Sequence, residues 1–178
     1  LELLETQTLS GFHTYMKGLI EQSNQKKTKG VQTLVKSPEF GKAFVLLELL
    51  LAKKVEHPKI AEAIGIIKEE MSQNKSAKII IFSQFRETAS SISKKLNENP
   101  EIRSSVFIGQ AKKKTATGQS GLSQKEQKQI IDDFKEGKLN VICATSIGEE
   151  GLDIPEVNAV IFYEPIPSAI RKIQRAGR

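Results

Sequence analysis

From Lys78 onward the sequence predicts an α/β fold built on a parallel sheet, and ahead of it a helical segment. Three observations lead there. Short apolar runs recur, the clearest being Lys78–Ser83 (KIIIFS), as expected for strands covered on both faces. Between them lie stretches whose apolar residues repeat at helical spacing, and strands that alternate with helices imply crossover connections and a parallel sheet. Before His57-Pro58 the apolar residues follow the helical period alone. The reading divides the chain into a helical segment, 1–56, and an α/β domain, 57–178.

In the first helix Leu9, Phe12, Met16 and Leu19 share one face, with Glu2, Glu5, Lys17 and Glu21 elsewhere on the wheel. Residues 23–30 (SNQKKTKG) read as a loop or a frayed helix end. The run 39–54 is helical and apolar nearly all round, through Phe44, Val45, Leu46, Leu47, Leu49, Leu50 and Leu51. Such a helix has to be buried by several elements, which implies packing against sequence outside this chain. Pro58 suits the first turn of the next helix; Ile60, Ile64, Ile67 and Met71 stripe it to about Asn74.

After the first strand, Phe85, Ala89, Ile92 and Leu96 line a helix ended by Asn97–Pro100. Ser105–Ile108 is the second strand. Residues 109–121 (GQAKKKTATGQSG) carry no large apolar side chain and read as a mobile surface loop. Ser123 and Glu126 form a capping box for a helix bearing Ile130, Ile131 and Phe134, which stops at Gly137. Leu139–Ala144 and Ala159–Tyr163 are the third and fourth strands, and Ser168 caps a last helix.

Composition narrows the function classes. The longest apolar-rich stretches fall short of the ~20 residues of a membrane span, and no N-terminal signal pattern is present, so an intracellular protein (cytoplasm or nucleoid, if archaeal) with no membrane partner is expected. The single Cys143 allows neither an internal disulfide nor a cysteine metal site. A formal charge of +6 favours polyanionic partners, nucleic acid first. With no Trp and few aromatic residues, contact through the backbone phosphates is a better expectation than base stacking.

Ligands of parallel sheets bind at the carboxyl ends of the strands. That rule selects Ser83-Gln84-Phe85-Arg86, Gly109-Gln110, Thr145 to Asp153, and the terminal helix. Hydroxyl and amide donors at Thr145 and Ser146 can hold a phosphate. Gly148 and Gly151 permit sharp turns and close approach, and Asp153 can accept from ribose hydroxyls. Gln174, Arg175 and Arg178 lie on or after a helix, from which guanidinium groups can reach a triphosphate across a cleft.

The segments ATSIGEEGLDIPEVNAVIFYE (144–164) and QRAGR (174–178) resemble motifs V and VI of superfamily 2 helicases, and KIIIFSQFRET (78–88) resembles motif IV. GEEGLDIPEV with FYEPIPSAIRKIQRAGR is most similar to the archaeal Hef proteins, relatives of the FANCM helicases; Dicer and the RIG-I-like receptors are more distant. The resemblance spans residues 57–178, and the leading helices resemble the end of Hef's helical insertion. It implies a RecA-like (P-loop NTPase-like) second helicase domain, preceded by part of an α-helical insertion domain and cut at motif VI. It further implies that Thr145 contacts the nucleic-acid backbone, with Ser83, Gln84, Arg86, Gly109 and Gln110 lining the same side. Gly151 and Asp153 lie by the ATP ribose, Gln174 and Arg175 join the domain interface, and Arg178 is an arginine finger.

Two departures stand beside it. The family's motif VI continues to another Arg beyond Arg178, where this sequence stops, so the finger pair is incomplete. No G-x-x-x-x-G-K-[ST] and no D-E-x-H-like segment occurs; Gly41-Lys42 and Gly137-Lys138 lack the spacing and the following hydroxyl. ATP and Mg²⁺ would thus be held mainly by a first RecA-like domain outside this sequence, leaving this chain alone inactive. Plainer readings suffice elsewhere. Glu149 and Glu150 read as a solvated turn, Cys143 as core, and His13 and His57 as lacking metal-ligand partners. Lys112, Lys113 and Lys114 stand open between phosphate contact and a solubilising loop. The function implied is the C-terminal half of an ATP-dependent DNA helicase or translocase for forked or branched DNA. The alternative is a non-catalytic nucleic-acid-binding or sensing module of RIG-I or Dicer type.

Overall fold

In a computed structural model, residues 8–55, 57–109, 113–115, 118–145 and 155–164 are described. The chain divides into two compact units, Leu1–His57 and Pro58–Arg178.

The first unit is helical: α1 (Leu9–Asn24), α2 (Lys29–Val35) and α3 (Pro38–Ala52). Each start is built from a side-chain oxygen that accepts an otherwise orphaned backbone N–H. Thr8 accepts from Gly11, Thr28 from Val31, and Ser37 from Phe40, with Pro38 opening α3. The stretch expected as a loop over 23–30 is therefore shorter. Thr28 caps a helix that begins at Lys29, a signal hidden by the polar residues around it. Leu9, Met16, Phe40 and Leu47 make the core, and the His13 ring stacks on Phe44 at 5.3 Å between centroids. On α3, Val45, Leu46 and Leu49 remain more than half exposed.

The second unit holds α4 (Pro58–Gln73), β1 (Ile79–Ser83), α5 (Arg86–Leu96), β2 (Ser104–Phe107), β3 (Lys113–Thr115), β4 (Gly118–Ser120), α6 (Gln124–Lys135), β5 (Val141–Thr145) and β6 (Ala159–Phe162). Four strands form one parallel sheet in the order β2-β5-β1-β6. The two central strands are buried at every residue, which explains their unbroken apolar sequence; β2 and β6 at the edges are partly open. Alternate side chains feed two cores. Ile79, Ile81, Val141 and Cys143 meet Ile60 and Ile67 of α4 and Ala89, Ile92 and Leu96 of α5. Ile80, Phe82, Ile142 and Ala144 meet Phe107 and the α6 residues Ile131 and Phe134. The result is a three-layer α/β domain.

The capping box of Ser123 and Glu126 is present, and Gly137 follows α6 at φ +77°, the left-handed geometry that ends a helix. Two expectations need correction. Residues 109–121 are not all loop: β3 and β4 pair antiparallel, Thr115 opposite Gly118, through backbone hydrogen bonds that need no apolar pattern. The third strand starts at Val141, not Leu139, and Asn140 just before it already accepts from Ile79 N and donates to Arg103 O through its backbone, both at 3.0 Å. Its Oδ1 accepts from Arg103 N at 2.8 Å and its Nδ2 donates to Glu101 O at 2.8 Å, bridging to the chain that enters β2. No helix among the described residues is long and apolar enough to cross a membrane. The last helix expected after Ser168 lies outside the described residues.

Candidate nucleic-acid interface

Parallel pairing brings all four strand exits to one edge of the sheet. The register sets Ser83 directly beside Thr145 at the carboxyl ends of the central strands. By alternation both belong to the face covered by α4 and α5. The second strand exit runs into Ile108 and Gly109, both buried, and Ile108 O accepts from Gln127 Nε2 of α6 at 2.8 Å. Gln84 and Phe85 are exposed at the turn after β1, and Arg86 opens α5 half-buried. The fold thus gathers Ser83, Gln84, Arg86, Gly109 and Thr145 on the carboxyl edge. Gln110, Gly151, Asp153, Gln174, Arg175 and Arg178 lie outside the described residues.

Thr145 was expected to contact a nucleic-acid backbone, yet its side chain is buried and its hydroxyl has no hydrogen-bond partner among the described residues. Thr88, in the first turn of α5, is in the same condition. A buried hydroxyl left without any partner costs about 1–3 kcal/mol.

Ser83 is fully engaged. Its Oγ donates to Glu164 Oε1 at 2.9 Å and accepts from Phe85 N at 3.3 Å. The other carboxylate oxygen, Glu164 Oε2, accepts from Gln84 N at 3.0 Å. Glu164 is only 4% exposed, two residues beyond Phe162, which pairs with Phe82. Burial pushes its carboxyl above the usual carboxylate range. The hydrogen bonds from Ser83 and Gln84 and the charge of Lys59 pull the other way. Lys59 Nζ sits 5.7 Å from the centroid of the Tyr163 ring. Nothing in the sequence reading assigned Glu164 a role. The one signal available was an acidic residue placed immediately after an apolar strand.

At the opposite edge a cleft of about 610 Å³ is lined by Lys75, Lys78, Arg103 and Lys135 among others. Two of these cations already close carbonyls at the end of α6. Lys78 Nζ donates to Lys135 O at 2.9 Å, while Arg103 donates to Lys138 O at 2.8 Å and Gly137 O at 3.2 Å. The cleft lies where Lys78, Asn140 and Asn158 lead into β1, β5 and β6, at the amino ends of the strands. Among the described residues no group of three or more His, Cys, Asp and Glu could hold a metal ion.

A four-stranded parallel sheet with helices on both faces matches the RecA-like domain of solved helicase structures. The chain belongs to the helicase conserved C-terminal domain family, whose model matches residues 59–178. It is similar over 99% of its length to the crystal structure of the Pyrococcus furiosus Hef helicase domain, with 43% identity and a TM-score of 0.71, covering 34% of that chain. It is 43% identical over 178 residues to MJ1505 of Methanocaldococcus jannaschii, a protein provisionally named an ATP-dependent RNA helicase. That match covers 99% of this chain and 21% of the relative. With the Schizosaccharomyces pombe ATP-dependent DNA helicase fml1 the identity is 41% over 137 residues, covering 74% of this chain and 16% of the relative. The chain therefore spans about a fifth or less of the length of these curated relatives.

Proposed function

We propose that this chain is the C-terminal motor half of an ATP-dependent DNA helicase or translocase that acts on forked or branched DNA inside the cell. The observation that carries the reading is the register of the central strands. It sets Ser83 beside Thr145, so the strands that open the segments 78–88 and 144–164 end together on the one edge where α/β sheets take ligands. The names of relatives such as fml1 support DNA as the substrate.

In this reading a first RecA-like domain of the same protein grips the triphosphate and Mg²⁺. The present domain faces it with Gly151 and Asp153 near the ribose, Gln174 and Arg175 at the interface, and Arg178 on the transferring phosphate. The guanidinium stabilises charge that develops only in the transition state. Thr145 contacts the DNA backbone, Ser83, Gln84, Arg86, Gly109 and Gln110 line the same side, and closure and reopening of the two domains shift that grip along the strand. Phosphate contacts make binding tolerant of sequence and sensitive to salt. By itself the chain does not hydrolyse ATP appreciably, since no phosphate-loop sequence occurs in it.

The test is ATPase activity of the full-length protein with and without fork DNA, beside Arg178→Ala. The expected result is DNA-stimulated turnover that falls about 10³-fold or more in the variant while DNA affinity is kept. Turnover unaffected by the substitution removes the finger role, and an absence of DNA stimulation in the wild type removes the motor reading.

A further inference from the structure

We propose that Glu164 is a positioning residue for the nucleic-acid grip, holding the turn after β1 by two hydrogen bonds so that Gln84, Phe85 and Arg86 are presented at the carboxyl edge. The inference rests on the motor reading above and adds to it a residue that does not itself touch the nucleic acid.

The geometry has three parts. First, the carboxylate spans two strand exits: it follows β6, and it binds the residues that leave β1, eighty and eighty-one positions earlier in the chain. Second, its oxygens divide the work. Oε1 takes the Ser83 hydroxyl at 2.9 Å and Oε2 takes the Gln84 amide at 3.0 Å, while Ser83 Oγ in turn accepts from Phe85 N at 3.3 Å. Three consecutive residues of the turn are therefore tied to one side chain, directly or through Ser83. Third, the carboxylate is buried while the residues beside the tie, Gln84 and Phe85, are exposed. The clamp lies beneath the surface it shapes.

A carboxylate is the group this arrangement requires. Two donors converge from different directions, one on each oxygen, and an ionised carboxyl is acceptor-only. A glutamine offers a single oxygen and turns an N–H₂ toward the second donor, leaving that donor unpaired. The burial that raises the carboxyl's affinity for a proton also strengthens its hydrogen bonds when ionised. If the turn's only need were packing, an apolar side chain of similar size would fill the same space without the cost of burying a charge.

The experiment compares wild type, Glu164→Gln and Ser83→Ala in the full-length protein. It measures DNA-stimulated ATPase over a range of fork-DNA concentrations, together with melting temperature. Removing one hydrogen bond to a buried charge corresponds to roughly tenfold in an equilibrium constant. The expected result is a rise of about tenfold in the KM for DNA in Glu164→Gln and a smaller rise in Ser83→Ala. The double variant is expected to be no worse than Glu164→Gln alone, because both remove one unit. In Glu164→Gln the loss is confined to KM, and turnover at saturating DNA stays within about twofold. A KM for DNA equal to that of wild type in the folded variants overturns the proposal. So does a loss of turnover that simply follows the fall in melting temperature, which marks a role in stability only. If Glu164→Gln does not fold, Glu164→Asp, which keeps the carboxylate but shortens its reach, decides by the same criterion. Wild type that is not stimulated by DNA sinks the motor reading and this inference with it. Stimulated wild type with unaltered variants sinks the inference alone.

Discussion

At the scale of single residues, the sheet edge sets the bonded pair of Ser83 and Glu164 beside buried hydroxyls that have no partner among the described residues. Glu164 sits buried with both oxygens engaged, whereas the hydroxyls of Thr88 and Thr145 are buried without hydrogen-bond partners among the described residues. The price of burying Glu164 should be visible in its pH dependence. Its carboxyl is pushed above the usual range, chiefly by burial. Between an ordinary Glu value of about 4.3 and that raised value, the folded protein binds a proton that the unfolded chain has already lost. Stability from this group is therefore fully present below the ordinary value and is lost as pH rises through the raised one. Glutamine cannot titrate, so Glu164→Gln removes the effect. In urea unfolding at a series of pH values, the stability of wild type minus that of the variant is expected to be largest at low pH and to shrink as pH rises. A difference that is flat, or that grows with pH, contradicts the assignment. The sequence showed Thr145 as a candidate because a hydroxyl after a buried strand is a recognisable pattern. It showed nothing of Glu164, because the partners of that carboxylate lie eighty residues away and come together only when β1 and β6 pair.

At the scale of elements, local chemistry decides where helices begin. The capping box at the start of α6 satisfies backbone N–H groups from both directions: Glu126 N donates to Ser123 Oγ at 3.3 Å, and Ser123 N donates to Glu126 Oε2 at 2.7 Å. Both residues are exposed, so replacing the serine removes the cap without opening a cavity. Ser123→Ala is expected to destabilise the folded protein by about 1 kcal/mol. The measurement is the urea midpoint, which should fall with its slope preserved; an unmoved midpoint would falsify the cap's contribution. This helix was legible beforehand because cap, stripe and terminal glycine all follow short-range rules. Strand β1 was legible because a strand buried on both faces has to be apolar throughout. Less could be read of β2. Its first residue is Ser104, buried against α5, where the hydroxyl meets Ser93 Oγ at 2.8 Å and Asn97 Oδ1 accepts from the Ser104 amide at 2.7 Å. A polar residue that opens a strand by bonding to a helix carries no apolar pattern, so the expected start fell one position late. The β3–β4 pair was hidden for a related reason: KKT and GQS pair through their backbones, and no side-chain alternation announces it.

At the scale of the molecule, the alternation of strands and helices implied a parallel sheet but not its order. Local patterns of strands and helices do not specify which strands become neighbours; here the order is β2-β5-β1-β6. That order has a consequence for independent folding. Both cores of the second unit, the α4–α5 face and the α6 face of the sheet, are made from residues at or beyond Ile60. The core of the helical unit is made from Leu9 to Leu51. Among the described residues these cores share no member, and the division falls at His57-Pro58, where the residue before proline is disfavoured from helical geometry. A protein beginning at Pro58 keeps all of α4, whose Ile60, Ala63 and Ile67 are buried. It is expected to fold alone, with mixed helix and strand signals in circular dichroism. Far-ultraviolet ellipticity and tyrosine fluorescence should report one coincident unfolding transition. Starting instead after Gln73 deletes α4 and uncovers Ile79, Ile81 and Tyr163 on that face, and this shorter protein is expected to aggregate or to lose cooperative unfolding. If the two proteins unfold alike, α4 belongs with the helical unit and the boundary at Pro58 is misplaced; if neither folds, the sheet depends on the residues before it.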